Sequence, residues 1–159
     1  MDWKILFVLL ILVAFSVVGC SKQLKPDGFP PLYPASVLIT QDGQPLKGAK
    51  VILFHTDDAS QRWGIFGTTD GSGRAVFVTH GKFRGAPEGE YLVAVYKQEE
   101  VEVARRGDNI ITEAFTLIEE QYTDREKSPL RIQIQRRGKN HGEFDVGKPV
   151  RVSLGREVA

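Results

Sequence analysis

The 159-residue chain holds one cysteine, Cys20. No intramolecular disulfide can form, so a folded domain must rest on its hydrophobic core alone. An excess of one charge sign is also missing: 21 Lys and Arg face 20 Asp and Glu, a formal net charge of +1. Without a global basic field there is no general attraction for nucleic acid. The most apolar run, from Ile5 to Val18, is about 14 residues, short of the ~20 that span a bilayer. What is present is a hydrophobic fraction of 42% with 16 Gly and 8 Pro. That is enough apolar material for one core, cut by many turns into short segments.

The first twenty residues read as a lipoprotein signal. Met1-Asp2-Trp3-Lys4 is a short polar start, and Ile5 to Val18 has the length of a signal h-region. It is apolar on every side, unlike an amphipathic surface helix. Val17-Val18-Gly19-Cys20 then resembles the lipobox of bacterial lipoproteins. Small Gly19 gives a peptidase access to the bond before Cys20, and the thiol is the soft nucleophile that takes a diacylglyceryl group. Two or three acyl chains, at about 0.8 kcal/mol per buried methylene, hold a protein stably on a membrane. The expectation is therefore cleavage between Gly19 and Cys20, lipidation of Cys20 and an extracytoplasmic location. Ser21 in place of an aspartate favours the outer membrane where the cell has one.

Residues 20–34 carry Pro26, Pro30, Pro31 and Pro34, which predicts an extended linker with no helix or central strand. Residues 35–147 form the expected domain and 148–159 a C-terminal tail. Strands are predicted at Ala35–Thr40, Lys50–His55, Trp63–Thr69, Arg74–Thr79 and Tyr91–Lys97, then around Leu130–Gln135 and Phe144–Val146. Val51-Ile52-Leu53-Phe54 is apolar on both faces and predicts a central strand. Asp70-Gly71-Ser72-Gly73 and Gly138–Gly142 read as hairpin turns. The charged stretch Gln98–Asn109 reads as a mobile loop. Ile111, Phe115, Ile118 and Tyr122 recur at helical spacing, which predicts a short helix or helical turn within Thr112–Gln121. The fold class is all-β: a seven-stranded antiparallel β-sandwich of Ig-like or transthyretin-like type.

Three turn motifs sharpen this. They are Gly43-Gln44-Pro45-Leu46-Lys47-Gly48-Ala49, Thr69-Asp70-Gly71-Ser72-Gly73 and Gly85-Ala86-Pro87-Glu88-Gly89-Glu90-Tyr91. A fourth stretch, Ile118–Asp124 followed by Ser128-Pro129-Leu130, precedes the penultimate predicted strand. In this order, after the lipobox, they resemble small bacterial surface lipoproteins with a carboxypeptidase-regulatory-like domain. Glu119 stands where that group often has proline. The resemblance implies the sandwich and the envelope location, and it brings no catalytic residue. The residues agree physically: Gly43 and Gly73 suit positive φ, and Tyr91 suits a buried ring with a bonded hydroxyl.

Catalytic motifs are scarce. His55, His80 and His141 have no short ligand spacing, so no metal and no cofactor are expected. The His-x-His pair of intradiol dioxygenases and the Tyr-Arg-Gly-Ser ending of hydroxyisourate hydrolases are absent, as is a Gly-x-Ser-x-Gly elbow. Asp57-Asp58 and Asp70 offer too few oxygens for calcium. Arg106-Gly107-Asp108 is read as a chance tripeptide. The expected function is a membrane-anchored, non-catalytic module that binds protein or glycan at the cell envelope or has a structural part there. The alternative is an enzyme of the transthyretin-like or dioxygenase-like class with an unrecognised site. Partner-binding candidates are Trp63, Phe66, Phe83 and Arg84, because aromatics and arginine dominate contact hot spots and aromatics stack on sugars.

Overall fold

The structure, a computed structural model, describes residues 24–57, 62–107 and 109–158. The signal segment with Gly19 and Cys20 lies outside the described residues, as do Asp58 and Asp108.

The chain is an all-β sandwich with an added arm. Its strands are β1 (Ala35–Gln41), β2 (Gln44–Pro45), β3 (Lys50–His55), β4 (Ile65–Thr68), β5 (Arg74–Val76), β6 (Val78–Thr79), β7 (Phe83–Arg84) and β8 (Gly89–Tyr96). β9 (Gln98–Arg106) and β10 (Asn109–Thr116) follow, then a one-turn helix α1 (Glu120–Thr123), β11 (Arg131–Ile134), β12 (Asn140–Asp145) and β13 (Val152–Val158). One sheet has the order β11-β8-β3-β4-β6-β7; the other sets β1 between β12 on one side and β2 and β5 on the other.

Alternation explains the packing. In β3, Val51 and Leu53 are fully buried while Lys50 is exposed; in β11, Ile132 and Ile134 are buried between Arg131 and Gln133. These meet Val37 and Ile39 of β1 in one core with Phe77, Tyr91, Val93 and Val95. β3 is central, paired to β4 and β8, as its two-sided apolar run predicts. Gly43 and Gly73 have φ of 75° and 79°.

The fold departs from the expected one in several places. Among the described residues thirteen strands stand where seven were expected, and β1 pairs with β12 in parallel, not antiparallel. The predicted strand Arg74–Thr79 divides at Phe77: β5 joins β1 while β6 joins β4. The Asp70–Gly73 turn therefore carries the chain from one sheet to the other, as at the corners of orthogonally packed sheets. The Gly138–Gly142 stretch likewise leads from β11 in one sheet to β12 in the other.

The stretch Gln98–Thr116, expected as a loop and the start of a helix, is instead a β-arm, and the helical turn is confined to Glu120–Thr123. β9 and β10 pair along their length, and β13, in the expected tail, adds on the far side of β10. Residues four apart share a face in a strand as well as in a helix, so Ile111 and Phe115 do not distinguish the two. The Pro-rich segment does not run free either. Tyr33 N–H donates to Ala86 O (2.9 Å) and Ala86 N–H to Tyr33 O (3.0 Å), which docks the segment beside β7.

Candidate functional site

β4 starts and the β6–β7 hairpin turns at the same end of the six-stranded sheet. Ile65 pairs with Thr79, and His80 N–H donates to Gly64 O (2.8 Å). This brings Trp63 and His80 together, their rings edge-on at 5.0 Å. Trp63 and Phe83 do share this end, but through a third ring. Phe29 of the Pro-rich segment packs at 5.2 Å from Trp63 and 4.7 Å from Phe83. Lys25 Nζ lies 5.6 Å from the centre of the same Phe29 ring. A Pro26–Phe29 turn, closed by Phe29 N–H to Pro26 O (3.1 Å), aims the ring inward.

Beside this stack is a niche of about 210 Å³ between Pro30, His55, Trp63, Pro87, Glu88 and Tyr91. It is smaller than the ~300–1,000 Å³ of ligand pockets. His55 Nδ1 accepts the Asp57 N–H (3.0 Å), and its ring sits edge-on to Tyr91 at 5.0 Å. Tyr91 Oη donates to Pro87 O (2.9 Å). Burial pushes the Tyr91 phenol up to about 12, so it stays protonated. The niche is a packed junction, with the linker held against the sandwich.

The four candidates thus separate. Phe83 is only 9% exposed and is part of the packing, which corrects its expected role as a contact residue. Trp63 is half-buried under Phe29. Phe66 is 38% exposed and points from the opposite face of its sheet. There Phe66 pairs with Val78, and Val78 with Arg84, so Phe66 and Arg84 stand in one cross-strand row. Lys50 Nζ lies 5.5 Å over the Phe66 ring. Sequence reasoning missed Phe29, because its neighbouring prolines suggested a free linker. The available signal was a single large aromatic inside that polar segment.

No protein family, curated protein or solved structure matches the chain.

Proposed function

We propose that the protein is a lipid-anchored, extracytoplasmic lipoprotein whose β-sandwich serves as a binding or structural module at the cell envelope. The observation that carries this is the place of Cys20, the only thiol, directly after the apolar run and Gly19. The lipid on Cys20 is the membrane partner. The order of the Gly43–Ala49, Thr69–Gly73 and Pro87–Tyr91 motifs supports a carboxypeptidase-regulatory-like sandwich. Phe66 and Arg84, exposed in one row, are the contact residues for an envelope protein or glycan.

Mass spectrometry of the protein from its native membrane tests the anchor. Loss of residues 1–19 and added acyl mass on Cys20 are expected, and Cys20→Ala abolishes both. An unmodified Cys20 in membrane-bound protein refutes it.

A further inference from the structure

The face of the smaller sandwich sheet turned away from the core brings together three groups far apart in sequence, of which Ser36 is 7% exposed at the floor of a groove. Ser36 of β1 lies directly opposite His141 of the parallel strand β12. Glu143, two residues further along β12, shares the face of His141. Arg74 of β5 is the diagonal neighbour on the other side, since β5 pairs Val76 with Ser36 and Arg74 with Leu38. The distances follow from this register: Ser36 Oγ to His141 Nδ1 is 3.0 Å, and Arg74 Nη2 to Ser36 Oγ is 3.1 Å. His141 Nε2 lies 3.5 Å from Glu143 Oε1.

Donor chemistry sets the protons. Arginine only donates, so Ser36 Oγ accepts from Arg74; in the tautomer with Nδ1 unprotonated, the Ser36 hydroxyl donates to His141 Nδ1. The imidazole then carries its proton on Nε2, towards Glu143. A hydroxyl bonded to the free nitrogen of a carboxylate-oriented imidazole is the arrangement that activates a serine nucleophile. Ser36 and His141 are thus hydrogen-bonded, with the Glu143 carboxylate 3.5 Å from the far imidazole nitrogen. An open groove of about 470 Å³ runs over Ser36 and His141, with Arg74, Lys139 and Asn140 among its walls.

We propose that Ser36, His141 and Glu143, with Arg74 beside them, form a nucleophile–base site that cleaves small carboxylic esters. This goes beyond the binding module and does not depend on the lipid anchor. In the reaction, Ser36 Oγ bonds to the ester carbonyl carbon as His141 Nδ1 takes its proton. The carbonyl electron pair moves onto oxygen next to the Arg74 guanidinium, which stabilises that charge. Return of the pair breaks the bond to the alcohol oxygen, and the alcohol leaves with the proton from His141. Water then gives a proton to His141 and bonds to the acyl carbon; Ser36 Oγ leaves with that proton, and the carboxylic acid is released. The basic walls favour esters whose acyl part carries a negative charge. Ser36 and His141 are catalytic residues here, and Glu143 is a positioning residue.

The test is covalent labelling of the full chain with diisopropyl fluorophosphate, followed by intact mass and peptide mapping. One phosphoryl adduct on Ser36 is expected, and none in Ser36→Ala. His141→Ala slows labelling about 100-fold or more, the usual share of a general base. Each variant is used only where its melting curve matches wild type, and His141→Gln replaces His141→Ala if that one is unfolded. Glu143→Ala slows labelling, and Glu143→Gln, which keeps an acceptor oxygen for the imidazole, restores it, as expected of a positioning residue. Folded protein with Ser36 unlabelled, or labelled equally fast without His141, overturns the proposal.

Discussion

Gly73→Ala and Gly43→Ala place the same methyl in the same backbone region and should differ threefold in effect. Both glycines are left-handed, with φ of 79° and 75°. A side chain there adds about 1 kcal/mol of strain. At Gly43 a Cβ meets nothing within 4 Å, so the strain is the whole effect. At Gly73 it falls 2.5 Å from Ile39 O and 3.2 Å from Leu46 N, both backbone atoms. Neither can yield cheaply. Ile39 O accepts the Leu46 N–H (3.0 Å), Ile39 N–H donates to Gly73 O (2.8 Å), and Ile39 is fully buried. Overpacking of this kind adds about 2 kcal/mol, for a total near ~3 kcal/mol. For a chain of this size 1 kcal/mol moves Tm by about 4 °C. Thermal unfolding of the full chain followed by circular dichroism should therefore show a fall of about 4 °C for Gly43→Ala and about 12 °C for Gly73→Ala. Equal shifts would show that the Asp70–Gly73 corner is not pressed against β1, and the close approach of the two sheets there would be wrong.

Phe83→Ala should destabilise the fold by about 3 kcal/mol, whereas exposed Phe66→Ala should stay below about 1 kcal/mol; urea unfolding midpoints decide between this and a contact role for Phe83. Asp145 gives the pH dependence. Its carboxylate is held below the ordinary value of 3.8 first by the Gly43 N–H and then by the Thr40 hydroxyl, with Gly147 N–H adding to them. A depressed folded pKa gives stability that is present above the unfolded value and lost as pH falls through the folded one. Tm measured from neutral pH down past 3.8 should thus fall less steeply in Asp145→Asn than in wild type; identical acid limbs would refute it.

The core was legible where one face of a strand is buried. Val51 and Leu53, Ile132 and Ile134 alternate with polar residues because a sheet packs one side and solvates the other. Turns were legible through glycine, and Tyr91 through its need for a hydroxyl partner, which is Pro87 O. The arm was not. Glu100-Val101-Glu102-Val103 does alternate, but Val101 and Val103 remain 37% and 42% exposed, so no core demands a clean pattern there. Charge on both faces then looks like a loop, although β9 is held by its ladder to β10. Phe83 looked like a surface aromatic because its sequence neighbours Lys82 and Arg84 are polar; in a strand, neighbours point to the opposite face, so they say nothing of its own.

The same limit hides the Ser36 cluster, and for a deeper reason. Hydrophobic periodicity reports which face a residue takes, but His141 falls in a stretch read as a hairpin turn, and Ser36 in a strand whose neighbour across the sheet the pattern does not name. It carries no information on which strand lies next to which. Ser36 and His141 are 105 residues apart in the chain, and they meet only because β12 runs parallel to β1. A parallel pair needs a long crossover, here the whole of β2 to β11, so no local turn signal announces it. Arg74 arrives by a separate route, through the sheet-switching corner that Gly73 permits. The constellation therefore depends on two non-local pairings of β1, and a substitution that shifts β1 by one residue against β12 turns Ser36 into the core and dissolves it. That links the chemistry to the corner: loss of close packing at Gly73 loosens the strand on which Ser36 stands, without touching any of the three side chains.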